Sequence, residues 1–325
     1  MKVLVNGCGY IGEVHIRTLR RYALARVGIC DINPARLKAI SAKYEVTECH
    51  ASLAEGLRAG YDGVVICTPN SLHLADAELC LKAGADVMIE KPIGKSAEEG
   101  TRIGRMAGEL KRVAFVAYCL RFAPPYNAIF KMIRDGKLGE IISVRASVGG
   151  KKAISDAVTD YRTKRALGGG VIADFSHEID YATWFLGEKT AEVFCNGFTF
   201  AHSTWDVEDT ADILLRTVSN KTISIHMDYL QSPFYRSIEV YGEAGTILWR
   251  DFEDLKFFSE EAGTWSSIPT AIDWDEVYRS EMEHFLRCVK DRSMPMVDPT
   301  QATEVLSIVE GCIRSMETGR PVSVV

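Results

Sequence analysis

The chain opens on a rhythm of short apolar runs and amphipathic stretches. KVLVNG leads into a helical pattern near 11–23, and ARVGICD into another near 34–43. YDGVVICTP precedes a helix near 71–83, ADVMIEKP precedes one near 96–110, and RVAFVAY follows. Nearly continuous apolar strands alternating with helices predict a parallel sheet covered on both faces. After Arg121 the rhythm changes to a helix near 124–135, the turn DGKLGE, the strand IISVRASV and a polar segment reaching three glycines at 168–170. From about 191 polar alternation dominates, in DTADILLRTV, TISIHMDYL and RSIEVYG, before two helices near 276–290 and 299–317. Consecutive alternating strands predict a mostly antiparallel sheet. The expectation is an α/β chain of two domains, 1–120 and 121–325, the second of them α+β.

Length agrees, since 325 residues exceed the usual single core. No stretch approaches the ~20 consecutive apolar residues of a membrane span, and Met1-Lys2 runs straight into a glycine-rich motif instead of a signal sequence. A cytoplasmic protein is expected. The nine cysteines are scattered without a C-x-x-C pair and read as reduced core residues. A formal net charge of −6, with Lys and Arg spread along the chain, gives no footprint for nucleic acid or an anionic membrane. The expected partner is a small molecule.

Candidate chemistry begins with VLVNGCGYIGEVHI, in which Gly7, Gly9 and Gly12 form G-x-G-x-x-G between a strand and a helix, around Tyr10 and Ile11. That spacing allows a tight turn, close approach of backbone to a pyrophosphate, and anion binding by free N–H groups at the helix start. Asp31 ends the next strand at about the 20-residue interval expected of the acid that takes the adenosine ribose hydroxyls. The pattern reads as a Rossmann dinucleotide-binding domain. An acid at that position repels a 2′-phosphate and favours NAD, with NADP as the alternative that Arg36 would serve.

CTPNSLH ends another strand, where ligands of open α/β sheets bind, although Asn70 or Ser71 can equally cap the next helix. VMIEKPIG sets Glu90-Lys91-Pro92 after a buried strand. A lysine there either snorkels to solvent or faces the cofactor crevice, where it can stabilise a developing alkoxide.

The order G-x-G-x-x-G at 7–12, T-P-N-x-x-H at 68–73, E-K-P at 90–92 and G-G-G followed by D-x-x-H-x-x-D at 168–180 resembles the glucose-fructose oxidoreductase / inositol dehydrogenase / rhizopine catabolism (Gfo/Idh/MocA) family. The resemblance spans nearly the whole chain, including the boundary at Arg121-Phe122 and the GKLGE turn. It implies a Rossmann domain, a second domain with a large open sheet used in homodimers or homotetramers, a nicotinamide cofactor and a site between the domains. It implies oxidation or reduction of sugars, inositols or nucleotide-linked sugars. By matching motifs, Lys91 is the E-K-P lysine before a cis-Pro92, and His177 exchanges a proton with the substrate hydroxyl. Thr68, Pro69, Asn70 and His73, with Glu90 and Arg121, fall to the cofactor side.

GGGVIADFSHEIDYATWFLG reads as glycines followed by one helix. On it Val171, Ile172, Phe175, Ile179, Ala182 and Leu186 form an apolar stripe, while Asp174, His177, Tyr181 and Trp184 share another face. Taken alone, Asp174 and His177 are as well explained by a surface pair. With the resemblance, His177 becomes the acid/base, Asp174 its supporting carboxylate and Lys91 the group that polarises the same oxygen. Many members of the family place the acid four residues before the histidine, whereas here the interval is three. Asp180 is a second candidate, for substrate binding or helix support. The preceding TDYRTKRALGGG resembles a branch associated with nucleotide sugars, so Tyr161, Arg162, Lys164 and Arg165 are read either as phosphate ligands or as a solvated loop.

The leading expectation is an NAD-dependent dehydrogenase acting on a secondary hydroxyl of a sugar or nucleotide-linked sugar. An NAD-dependent glycoside hydrolase on the same scaffold and a non-catalytic NAD-binding regulator are the alternatives. HEID is not H-E-x-x-H, so no metal is expected.

Overall fold

The computed structural model describes residues 1–151, 161–165, 168–201, 204–251 and 253–324. They gather into two compact units, Met1–Phe122 with Asp273–Leu306, and Ala123–Ile272 with Ser307–Val325. In the first unit strands β1 (Lys2–Asn6), β2 (Arg26–Cys30), β3 (Glu48–His50), β4 (Gly63–Ile66), β5 (Asp86–Glu90) and β6 (Ala114–Ala117) form a parallel sheet in the order β3-β2-β1-β4-β5-β6. Helices α1 (Tyr10–Arg21), α2 (Pro34–Tyr44), α3 (Leu53–Arg58), α4 (His73–Lys82) and α5 (Ala97–Glu109) connect them. Val3, Leu4, Val5, Val64, Val65 and Ile66 are wholly buried, which is why these strands read as unbroken apolar runs.

Register decides where the chemistry gathers. Asn6 lies opposite both Cys30 and Ile66, Ile66 opposite Ile89, and Glu90 opposite Ala117. The strands therefore end together, and the residues that follow them share one edge. Strand order reverses between β1 and β4, the switch point at which open α/β sheets bind ligands.

The second unit holds α6 (Pro124–Arg134), β7 (Ile141–Gly149), α7 (Val171–Asp174), α8 (Ser176–Leu186), β8 (Thr190–Phe198), β9 (Thr210–Thr217), β10 (Thr222–Asp228), β11 (Tyr235–Gly242), β12 (Gly245–Arg250), β13 (Leu255–Ser259), β14 (Thr264–Ile268) and β15 (Val322–Ser323). Nine strands make one sheet in the order β14-β13-β12-β11-β7-β10-β9-β8-β15. All of its pairings are antiparallel except β7 with β10. Alternation sets its faces: in β9, Ala211, Ile213, Leu215 and Thr217 are buried while Asp212, Leu214 and Arg216 are exposed.

Two C-terminal helices follow, α9 (Trp274–Asp291) and α10 (Pro299–Thr318). The sequence-based boundary places everything after 120 in the second domain, whereas the compact units divide these two helices between them. Residues 273–306 pack with the first unit, where α9 lies along α1. Val277, Met282, Phe285 and Cys288 form its buried stripe, and Phe285 stacks on Phe115 at a centroid distance of 6.4 Å. An amphipathic stripe shows that a helix packs, but not on which sheet.

One residue of that stripe is acidic. Glu281 is wholly buried and neither carboxyl oxygen has a hydrogen-bond partner among the described residues. Burial pushes its carboxyl well above the usual carboxylate range, and the Glu90 carboxylate adds to the rise. The folded chain holds this proton longer than the unfolded chain does, so stability is full below the unfolded value and is lost as pH rises through the native one. Glu281→Met is expected to raise the thermal midpoint at pH 8 by about 3 °C or more, with a smaller gain at pH 5. Thermal unfolding at the two pH values checks this.

Candidate active site

The first unit builds a cradle around its glycines. Gly7 follows β1 at φ +96°, a left-handed conformation, and a Cβ there would lie 2.7 Å from the Cys67 carbonyl oxygen. A Cβ on Gly12 would meet the Gly7 carbonyl oxygen at 1.9 Å. At Gly9, which caps α1 without a side-chain hydrogen bond, a Cβ would meet nothing within 4 Å. Tight packing beneath and open space above leave the first N–H groups of α1 facing outward for an anion. Tyr10 is exposed beside them and Ile11 half-buried.

Asp31 ties the loop to the end of β2. Its Oδ2 accepts from the Cys8 N–H at 2.8 Å and lies 3.4 Å from Arg36 Nη1, while Oδ1 accepts from the Asn33 N–H at 2.8 Å. A carboxylate has about four acceptor positions, so capacity remains for ribose hydroxyls.

After β4, Thr68 and Asn6 both donate to Asp76 Oδ2, at 2.7 and 3.0 Å. Burial pushes the Asp76 carboxyl upward against these bonds. Pro69 is exposed, whereas Asn70 is buried and its Oδ1 has no partner among the described residues. A buried amide oxygen without a donor, beside an uncapped helix start, fits the amide and phosphate groups of a dinucleotide. His73 is a clamp in this structure: buried, it sets Nδ1 2.9 Å from the Pro92 carbonyl and Nε2 2.8 Å from the Thr68 carbonyl. Burial lowers its basicity, and a neutral ring donates to only one of the two carbonyls at a time. It thereby joins T-P-N-x-x-H to E-K-P.

Glu90 ends β5, and Lys91 stands half-buried before a cis bond to Pro92, as the resemblance implies. Arg121, buried at the end of this unit, donates through Nη1 to the Met296 carbonyl at 3.1 Å and to Gln301 Oε1 at 2.6 Å. These bonds tie it to the approach to α10.

In the second unit the glycines fold back on the segment before them. The N–H groups of Gly168, Gly169 and Gly170 donate to the carbonyls of Arg165, Lys164 and Arg162 at 2.9, 3.0 and 2.9 Å. Gly170 has φ +110°, and a Cβ there would lie 2.2 Å from Glu208 Oε1. Glu208 is buried, which pushes its carboxyl up, and it accepts the Ile172 N–H at 3.2 Å.

The single helix expected after the glycines is two, α7 and α8, broken at Phe175. The break changes which residues share a face. Tyr181 is buried against Tyr126 at a ring distance of 4.9 Å, and Trp184 stacks on Phe130 at 3.9 Å, so neither lines an open face with Asp174 and His177. Glu178 is wholly buried beside Arg236 Nε at 2.7 Å. Asp180 is wholly buried as well, and its backbone carbonyl accepts from the Thr183 hydroxyl at 3.0 Å. From Phe175 through Ala182 only His177 is not buried.

Asp174 is held in place. Its Oδ2 accepts from the Tyr229 hydroxyl at 3.0 Å and lies 3.7 Å from Arg162 Nε. Arg165 is anchored on Asp206, through its N–H at 2.8 Å and its Nε at 3.3 Å. The side chain of Tyr161 lies outside what the structure describes. Sequence reasoning missed Asp76, Glu208 and Tyr229, which are remote in sequence from the motifs they support.

Comparison with known proteins supplies the family. Residues 1–118 match the model of an oxidoreductase family with an NAD-binding Rossmann fold, and residues 126–248 match the GFO/IDH/MocA C-terminal domain. An inositol 2-dehydrogenase of Rhizobium meliloti (strain 1021) is 28% identical over 98% of this chain and 97% of its own. A scyllo-inositol 2-dehydrogenase (NAD(+)) of Bacillus subtilis (strain 168) is 25% identical over 99% and 95%. Among solved structures, an Agrobacterium radiobacter oxidoreductase in complex with NAD+, L-tartaric acid and magnesium superposes with TM-score 0.92 at 20% identity, covering 100% of this chain and 98% of that one. The scyllo-inositol dehydrogenase of Lactobacillus casei, with bound NAD(H) and scyllo-inositol, gives TM-score 0.86 at 20% identity, covering 100% and 99%.

Proposed function

Because the chain belongs to the Gfo/Idh/MocA oxidoreductase family, we propose that it oxidises a secondary hydroxyl of a free cyclic polyol or sugar, of the inositol class. It is an NAD(P)-dependent oxidoreductase acting on CH–OH groups, and its first unit is an NAD-binding Rossmann domain. The observation that carries the reading is the shared strand edge, which brings the glycine loop and Thr68 to the switch point of one sheet, with Asp31 and Lys91 at the ends of the strands on either side. Bound NAD supplies a hydride acceptor at the nicotinamide ring.

The chain supplies the rest. The α1 N–H groups and the glycine loop take the pyrophosphate, and Asp31 takes the adenosine ribose. His177 accepts the hydroxyl proton as the carbinol carbon loses its hydride, and imidazole is the side chain suited to that near neutral pH. Lys91 donates to the same oxygen and offsets its developing charge. Tyr229 and Arg162 hold Asp174, the supporting carboxylate.

Arg162 Nε lies 3.7 Å from the Asp174 carboxylate, and Arg165 is held by Asp206 through its N–H and Nε, so these two candidate phosphate ligands have partners within the chain. This favours a free polyol over a nucleotide-linked sugar. The exposed Ile142, Phe194 and Leu214 on the large sheet support a homodimer or homotetramer.

The test is nicotinamide absorbance with NAD and with NADP against myo- and scyllo-inositol, free hexoses, and UDP- and GDP-linked sugars. Growth confined to inositols or free sugars is expected. Growth only with nucleotide sugars would overturn the substrate class, and turnover of a glycoside without net reduction would favour the hydrolase. Asp31→Ser is expected to lower the kcat/KM preference for NAD over NADP by about tenfold or more, since the repelling carboxylate goes while Arg36 stays to meet a 2′-phosphate.

A further inference from the structure

His15 is wholly buried on the inner face of α1, among Val14, Ile16 and Leu19. A polar ring in that position is costly unless it is used. Its Nε2 lies 2.7 Å from Glu90 Oε1, 75 residues along the chain, and its ring meets Tyr278 of α9 edge-on at 6.0 Å. The other oxygen, Glu90 Oε2, accepts from the Lys91 N–H at 3.3 Å. Glu90 thus spans two elements, held by the cofactor-binding helix on one side and holding the Lys91 backbone on the other. Around this couple stand the carboxyl of Glu281, the Tyr278 hydroxyl and the Cys67 thiol, each of them pushed upward with Glu90 among the causes.

We propose that His15 is a positioning residue, acting through Glu90 to fix Lys91 relative to the helix whose N-terminus takes the pyrophosphate. The inference rests on the role given to Lys91 above. No other described side chain is shown donating to Glu90 Oε1, so an apolar residue at 15 would leave that oxygen with no donor. The carboxylate would then turn, and the peptide of Lys91 with it. A displacement of that kind lowers the rate of the chemical step with little effect on binding.

The test compares His15→Leu with His15→Gln, whose amide nitrogen has a similar reach, in the full-length protein. Affinity for NAD is read by titration, kcat and KM with the substrate identified above, and folding by thermal midpoint. The rate at which an amine-reactive reagent labels Lys91 is read by peptide mapping without substrate. For His15→Leu the expected result is a kcat lower by about tenfold or more, NAD affinity and KM within about threefold, and a changed labelling rate at Lys91. His15→Gln is expected to recover most of both. Unchanged kcat and labelling in His15→Leu would overturn the proposal, as would a parallel fall in NAD affinity and midpoint that glutamine does not relieve. Lys91→Met, assayed alongside, separates the premise: full turnover in that variant removes the role of Lys91, while the labelling rate still reads whether His15 positions it.

Discussion

His177→Gln and Lys91→Met are each expected to lower kcat by about 10²–10⁴-fold, the usual contribution of a positioned acid/base group. Glutamine keeps the bulk of the imidazole and cannot take up a proton at neutral pH; methionine keeps the lysine stem and removes the ammonium. NAD affinity should stay within about threefold of the parent in both, because neither side chain is needed by the glycine cradle or by Asp31. If both groups act on one oxygen, as proposed, the double variant falls by less than the product of the single losses. Single-turnover reduction of NAD, read beside NAD titration, checks all three statements. A variant that kept full turnover would remove its residue from the chemistry.

Much of the fold is legible in the sequence. Unbroken apolar strands and the glycine spacing gave the parallel sheet, and the motifs fell at strand ends because an open α/β sheet has its ligand edge there. What escaped was information carried by partners distant in sequence. The stripe of α9 was visible, but its place against α1 was not, because periodicity gives a packing face without its neighbour. Glu208 stands in a polar stretch, DVEDT, and gives no sign that it fills the space left by Gly170. The break at Phe175 was hidden by a stripe that satisfies a continuous helix on paper. With the break, Tyr181 turns against Tyr126 and Trp184 against Phe130, and from Phe175 through Ala182 His177 alone is not buried.

The glycine cradle separates two roles that sequence alone merges, and three substitutions should tell them apart. Gly12→Ala places a methyl 1.9 Å from the Gly7 carbonyl oxygen, so α1 must move off the loop that it supports. It is expected to lower both the thermal midpoint and NAD affinity, the latter by about 30-fold or more, roughly 2 kcal/mol. Gly9→Ala is different. The backbone at Gly9, φ −70° and ψ −168°, suits alanine, and its methyl would meet no protein atom within 4 Å. The midpoint should stay within about 1 °C, as for a surface substitution without strain. NAD affinity should still fall by about tenfold or more, because the open space above Gly9 is where the pyrophosphate approaches the backbone. Gly108→Ala, equally open but within α5 and away from the strand edge, should leave NAD affinity unchanged and raise the midpoint slightly, since alanine favours a helix. Thermal unfolding and NAD titration on the three variants suffice. If Gly9→Ala bound NAD as tightly as the parent, the cofactor would have to lie elsewhere than over the start of α1.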